Sequence, residues 1–277
     1  MIRIQKFLAN QGLMSRRAAD QAIRDSRVKI NDQKAIPGQV VEPGDQVFLD
    51  GKHIIPRKVI PQLMLYNKPV GRICSMAEDE MHRSIWQDFP KLGAGKWISV
   101  GRLDINTSGL LLFTNYGELA NRLMHPSYEI KREYLARIHG DVDQKMLNNL
   151  TDGVVLEDGL AKFQTVKAQH HRNPEERTSS NQWFRCILAE GKTREVRRLW
   201  ESQDVEVSRL KRISYGPIEL PSFIRRSEFI ELEPKQVGSL FKAVNLKSPK
   251  FNESNQLRDI RQRKEKRLRA RGNPWKK

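Results

Sequence analysis

Cysteine is almost missing from this chain. Two occur in 277 residues, Cys74 and Cys186, far apart and in no CxxC pair. That excludes a disulfide framework and a cysteine-built zinc site, and it suits a reducing cytoplasm, where the protein is expected to reside. No set of ligands has metal-binding spacing either, so no metal is expected. Long apolar runs are absent. None approaches the ~20 residues of a membrane-spanning helix, so no membrane partner is expected. The stretch Met1-Ile2-Arg3-Ile4-Gln5-Lys6 lacks the apolar segment of a secretory signal. Acid is scarce beside base: 33 Asp and Glu stand against 50 Lys and Arg, a net charge of +17. Such an excess fits a polyanion, nucleic acid before an anionic membrane. No internal repeat is visible.

What is present divides into four regions. Residues 2–55 read as a small module. Ile4, Phe7 and Leu8 fall on one face of a short helix that Gly12 would stop. Ser15 is placed to cap a second helix with Ala18, Ala19, Ala22 and Ile23 inward. Val28-Lys29-Ile30, Val40-Val41 and Val47-Phe48-Leu49 read as short strands, with turns at Asn31-Asp32 and Pro43-Gly44-Asp45. Arg16 and Arg17 sit in the first turn of the second helix, where the helix dipole disfavours cations by ~0.3–1 kcal/mol each. A bound phosphate reverses that cost, so both are expected to contact RNA, with Lys29 on the following strand. Residues 56–61 begin and end with proline and read as a linker.

Residues 62–237 read as a larger α+β domain with a mixed, mainly antiparallel sheet. Leu63–Tyr66, Trp97–Val100, Leu110–Thr114, Lys131–Ile138, Trp183–Leu188, Ile218 and Phe229–Leu232 are the expected strands. Asn115 and Glu118 suggest a capping box for a helix with Leu119, Leu123 and Met124 inward. Val196, Leu199 and Trp200 suggest another helix. From about residue 240 a basic tail is expected, disordered alone. Residues 251–277 hold ten Lys and Arg against three Asp and Glu, which favours sequence-independent RNA affinity.

Three segments of the larger domain could assemble one site. Gly101-Arg102-Leu103-Asp104-Ile105-Asn106-Thr107-Ser108-Gly109 places a carboxylate in a polar turn between two apolar strands. Arg132-Glu133-Tyr134 offers an aromatic ring beside a cation. Gly191-Lys192-Thr193-Arg194-Glu195-Val196-Arg197-Arg198-Leu199 is a glycine turn followed by a basic amphipathic stretch. Alone, Asp104 could cap a local turn, Tyr134 could be a core tyrosine and the arginines a solvated face.

Taken together, in this order and at this spacing, the three segments resemble the pseudouridine synthases, in the branch of RsuA and RluB that modifies ribosomal RNA. Residues 2–55 resemble the small RNA-binding module named for ribosomal protein S four that precedes the catalytic domain in that branch. The resemblance extends over about residues 2–237. Gly117–Ser127 and the basic tail look most like the RluB-like members, which act on a uridine of large-subunit (23S) rRNA. One departure is that Arg132 stands where the branch usually has lysine.

The resemblance implies an isomerase that moves uracil's attachment to ribose from nitrogen 1 to carbon 5, without a cofactor. It assigns Asp104 as the catalytic carboxylate and Arg197 as the cation that pairs with it. Tyr134 would stack on the base and act in the late proton abstraction, and Leu199 would pack beneath the uracil. Arg102, Lys192 and Arg194 would complete substrate binding. The expected partner is rRNA, 23S first, with ribosome-assembly intermediates as further partners and the protein acting as a monomer. The alternatives are the same reaction on 16S rRNA or a neighbouring 23S uridine, or a non-catalytic ribosome-associated RNA-binding protein.

Overall fold

The structure, a computed structural model, describes residues 1–56, 61–75, 83–89, 92, 96–169 and 181–248. These fall into two compact units, one built on Met1–Gln62 and the other on Leu63–Phe89, Ser99–Phe113 and the chain from Leu119.

The first unit opens with β1 (Ile2–Arg3), α1 (Ile4–Asn10) and α2 (Arg16–Arg24). Ser15 caps α2, its hydroxyl accepting the Ala18 amide at 3.1 Å. The strands β2 (Val28–Ile30), β3 (Gln33–Lys34), β4 (Val40–Val41), β5 (Val47–Leu49) and β6 (Lys52–His53) follow. β1 pairs with β4, and the others form a four-stranded sheet in the order β3-β2-β5-β6. Ile4, Phe7, Leu8, Ala19, Ala22, Ile23, Val28 and Val47 are its core. Ala18, expected inward, is exposed, because the buried stripe of α2 runs through Ala19, Ala22 and Ile23.

The second unit is organised by a nine-stranded sheet. Its elements are β7 (Leu63–Lys68), β8 (Ile98–Val100), β9 (Thr107–Thr114), α3 (Gly117–Met124), β10 (Arg132–His139), α4 (Gln144–Asp152), β11 (Val154–Leu156), β12 (Gly159–Ala161), β13 (Thr165–Gln169) and β14 (Asn181–Leu188). These are followed by α5 (Glu195–Glu201), β15 (Glu206–Tyr215), β16 (Ile218–Glu219), β17 (Phe229–Glu231) and α6 (Pro234–Ala243). The strand order is β13-β14-β10-β15-β9-β7-β17, with β8 beside β9 and β16 beside β15, while β11 and β12 form a separate hairpin. β15 and β9 run parallel, and β10 is antiparallel to both β14 and β15. The α+β class and mixed sheet follow from this pattern.

One expectation needs correction. The boundaries at residues 237 and 240 fall inside α6, whose Val237, Leu240 and Phe241 are buried, as is Val244 beyond it. An apolar face at i, i+3, i+4 and i+7 binds this segment to the core. The chain beyond residue 248, and linker residues 57–60, lie outside the described residues.

Candidate active site

The centre of the sheet positions the site through a close backbone approach. Parallel β9 and β15 place Gly109 opposite Arg212. Gly109 has φ +103°, and a Cβ there would lie 2.1 Å from the Arg212 carbonyl oxygen. Only glycine meets both conditions. The turn before β9, residues 101–106, is thereby held against the end of β15, and Asp104 projects from it half-buried.

A buried lysine fixes the same turn. Lys68, the last residue of β7, is fully buried, and its ammonium donates to the carbonyls of Pro69 at 3.1 Å, Asp104 at 3.1 Å, Ile105 at 3.4 Å and Thr107 at 2.9 Å. Burial lowers its pKa from 10.5 to about 8, while Cys74 and Asp104 nearby favour its charged form. Arg197, on α5, holds the turn from the other side. It donates to the Asn106 carbonyl at 3.0 Å and the Val207 carbonyl at 2.7 Å. Burial lowers its pKa, as does the like charge of Arg194, and the charge of Asp104 opposes both. Arg197 and Asp104 attract across the site, but no ion pair within 4 Å joins them. The expected direct pairing is replaced by a guanidinium that props the loop two residues beyond the carboxylate.

Asp104 opens onto a cleft of about 720 Å³. Arg102, Tyr134, Lys192 and Arg194 line it, so these four expected site residues share one cavity with Asp104. Tyr134 is held on β10 between Cys186 of β14 and Arg212 of β15. Leu199 does not line the cleft. It is fully buried in the core, and Val196, one turn earlier on α5, lines the cleft with Leu188 and Leu210. Arg16, Arg17 and Lys29 are exposed residues of the first unit.

Two cleft residues, Arg212 and Tyr215, escape the sequence reading. Arg132 and Arg212 place their guanidinium carbons 5.1 and 5.0 Å from the Tyr215 ring centre, and the Tyr215 hydroxyl donates to the Leu123 carbonyl at 2.7 Å. Arg132 also donates to the carbonyls of Ala189 and Glu190, and Arg212 Nε to the Leu110 carbonyl at 2.7 Å. Arg212 Nη2 is buried without a hydrogen-bond partner. Glu195, 4% exposed, accepts the Lys192 amide at 2.9 Å through one oxygen, and its other oxygen has no partner. Burial raises the Glu195 pKa, partly opposed by the Lys192 amide. Five cations (Arg102, Arg132, Lys192, Arg194 and Arg212) face two carboxylates across the cleft, which therefore favours an anionic ligand. Among the described residues no three His, Cys, Asp or Glu side chains are grouped to hold a metal ion.

A family profile described as RNA pseudouridylate synthase matches residues 62–202, and an S4 domain profile matches residues 2–47. The chain belongs to the RNA pseudouridylate synthase family. Among relatives, the ribosomal large subunit pseudouridine synthase B of Pseudomonas aeruginosa is 44% identical over 249 residues, covering 88% of this chain and 63% of that protein. The protein of the same name from Vibrio cholerae is 43% identical over 272 residues, covering 97% and 83%. That from Xanthomonas campestris is 42% identical over 245 residues, covering 86% and 49%. This chain thus spans less than two thirds of the first and about half of the third. A solved pseudouridylate synthase shares the fold, with a TM-score of 0.59 at 24% identity over 87% of this chain and all of that one. The pseudouridylate synthase profile spans the Asp104 turn, Tyr134 and α5, and so takes in Asp104, Tyr134 and Arg197.

Proposed function

We propose that this protein isomerises a uridine of 23S rRNA to pseudouridine, with Asp104 as the catalytic carboxylate. The observation that carries the reading is the Asp104 turn. It is clamped by Lys68 and Arg197 at the edge of a cationic cleft that also holds Tyr134. The large-subunit substrate follows the naming of relatives 42–44% identical to this chain.

The reaction conserves atoms and oxidation state, so it requires no redox partner. The bond from ribose C1′ to uracil N1 breaks, the base turns, C1′ bonds to C5, N1 takes a proton and C5 loses one. The Asp104 carboxylate, half-buried at the cleft edge, serves the electron-poor sugar carbon. Lys68 and Arg197 act on the turn's carbonyls as positioning residues, fixing where that carboxylate stands. Tyr134 gives the freed base a ring to lie against, and its hydroxyl acts in removing the C5 proton. The target uridine leaves its stack to enter, at a cost of a few kcal/mol that is least in a loop or bulge. Contacts from the cleft cations and from Arg16, Arg17 and Lys29 to phosphate offset that cost.

The test is to incubate the protein with 23S and 16S rRNA transcripts and map pseudouridine in both. One new site in 23S rRNA is expected. Modification of 16S alone would reassign the substrate, and binding without modification of either would make the protein a non-catalytic RNA binder.

A further inference from the structure

The strands that build the cleft have a second face. Along β10, Tyr134, Ala136 and Ile138 are buried, while Glu133, Leu135 and Arg137 alternate to the opposite side. Cross-strand register places Lys167, Arg185, Leu135 and Lys211 in one row on that side, and Gln169, Trp183, Arg137 and Arg209 in the next. Five cations thus occupy eight adjoining positions. The array measures on the order of 14 Å across three strand spacings and 7 Å between rows.

This arrangement opposes folding. Arg137 and Arg209 are direct cross-strand partners, and like charges so placed destabilise a sheet. One carboxylate answers them, Glu133, which meets Arg185 at 3.1 Å. Lys167, Arg137, Arg209 and Lys211 have no ion pair among the described residues. Exposed arginines elsewhere do find acids: Arg27 meets Asp50 at 2.7 Å and Arg194 meets Glu201 at 3.4 Å. A register irregularity between Arg137 and Ile138 turns both Ser208 and Arg209 outward, adding a polar position to the patch.

We propose that this outer sheet face is a second RNA-docking surface, which takes the phosphate backbone of a double-stranded segment while the target uridine occupies the cleft on the other side. Unpaired cations at strand spacing suit a ladder of phosphates, and the wide, shallow minor groove of A-form RNA is read by such shape-and-charge contacts. A protein partner would instead need buried aromatic or aliphatic anchors. Here Leu135, Ile187 and Trp183 are all half-buried beneath the cations. The chain's residues 251–277 are strongly basic, so charge excludes them as the occupant. The proposal rests on the reading of the protein as an RNA-acting enzyme. It adds that a large RNA is held at two places.

The experiment compares a triple variant, Lys167→Gln with Arg209→Gln and Lys211→Gln, all at exposed positions, with a control of equal charge loss, Arg225→Gln with Arg226→Gln and Lys235→Gln. Each is assayed on a short hairpin substrate, on full-length 23S rRNA and on protein-containing ribosomal particles, and each is titrated with a generic RNA duplex at several salt concentrations. The sheet variant is expected to keep the parent's rate on the hairpin, to show at least a fivefold higher KM on full-length rRNA, and to bind the duplex with a salt slope shallower by about 2. The control is expected to match the parent within twofold. Equal losses in both variants, or no change in the sheet variant on either large RNA or duplex, would overturn the proposal. So would a defect seen only on protein-containing ribosomal particles, which would indicate an acidic protein partner. If the parent modifies neither RNA, the catalytic reading fails, and the duplex titration still decides the surface.

Discussion

The Lys68 ammonium donates to the backbone carbonyl of Asp104 at 3.1 Å, from a position on a different strand with no exposure to solvent. The same ammonium holds the carbonyls of Pro69, Ile105 and Thr107. Two oxygens of the Asp104 turn, the first of β9 and that of Pro69 therefore share one charge, which ties the turn to the end of β7.

Lys68→Met takes one donor from each of those carbonyls, while those of Asp104 and Ile105 keep the amides of Thr107 at 3.0 Å and Gly71 at 2.9 Å. Stability is expected to fall by about 3 kcal/mol in urea unfolding, and turnover by at least tenfold. The pH dependence has a defined sign. Because burial lowers the Lys68 pKa to about 8, the unfolded chain binds more protons than the folded one between about pH 8 and 10.5. The contribution is fully present above 10.5 and is lost as pH falls through about 8. The stability of the parent relative to Lys68→Met should therefore rise from pH 7.5 to pH 10; a flat difference would show that burial does not perturb Lys68.

Gly109→Ala forces a Cβ to 2.1 Å from the Arg212 carbonyl at a φ of +103°. Strain and overlap together should destabilise the second unit by about 3 kcal/mol or more. Circular dichroism during thermal unfolding would register this as a lowered midpoint. An unchanged midpoint would mean that β9 and β15 can separate freely.

Tyr134 makes two separable contributions. Tyr134→Phe keeps the ring and removes the hydroxyl, so kcat should fall by ~10²-fold or more with KM within a few-fold. Tyr134→Ala removes both and should raise KM as well. Equal activity of the Phe variant and the parent would confine Tyr134 to stacking.

The assembly of this site is legible in the sequence to different depths. Asp104, Lys192 and Arg194 lie in turns whose residue types are unusual for their surroundings, Tyr134 lies within β10, and all four line the cleft. Lys68 escapes because Asn67-Lys68-Pro69-Val70-Gly71 reads as a solvated turn, whereas β7 continues buried through Lys68. Arg212 escapes because no strand is expected over residues 206–215, where cations at 209, 211 and 212 give no one-sided pattern. Only the tertiary pairing with Gly109 shows which arginine faces inward. Leu199 illustrates the reverse error: a helix of seven residues turns successive apolar positions to different sides, and Val196 faces the cleft. The α6 helix was readable from Glu233-Pro234 and Gln236, a capping box that forms, and from the spacing of Val237, Leu240 and Phe241.

Deleting residues 251–277 removes ten cations and three acids. Affinity for rRNA should fall at least tenfold at low salt, and the dependence of affinity on salt should flatten. Filter binding at 50 and 200 mM salt separates this from misfolding, since activity on a short hairpin should persist. An unchanged slope would show that the segment does not touch phosphate.

The central claim is that one carboxylate in the Lys68-clamped turn breaks the glycosidic bond. Asp104→Asn preserves size and the turn's backbone hydrogen bonds while removing the charge. Pseudouridine formation in 23S rRNA, measured beside RNA affinity on the same preparation, tests it directly. The account predicts that isomerisation is abolished while affinity stays within a few-fold of the parent. Retained isomerisation in Asp104→Asn would contradict it.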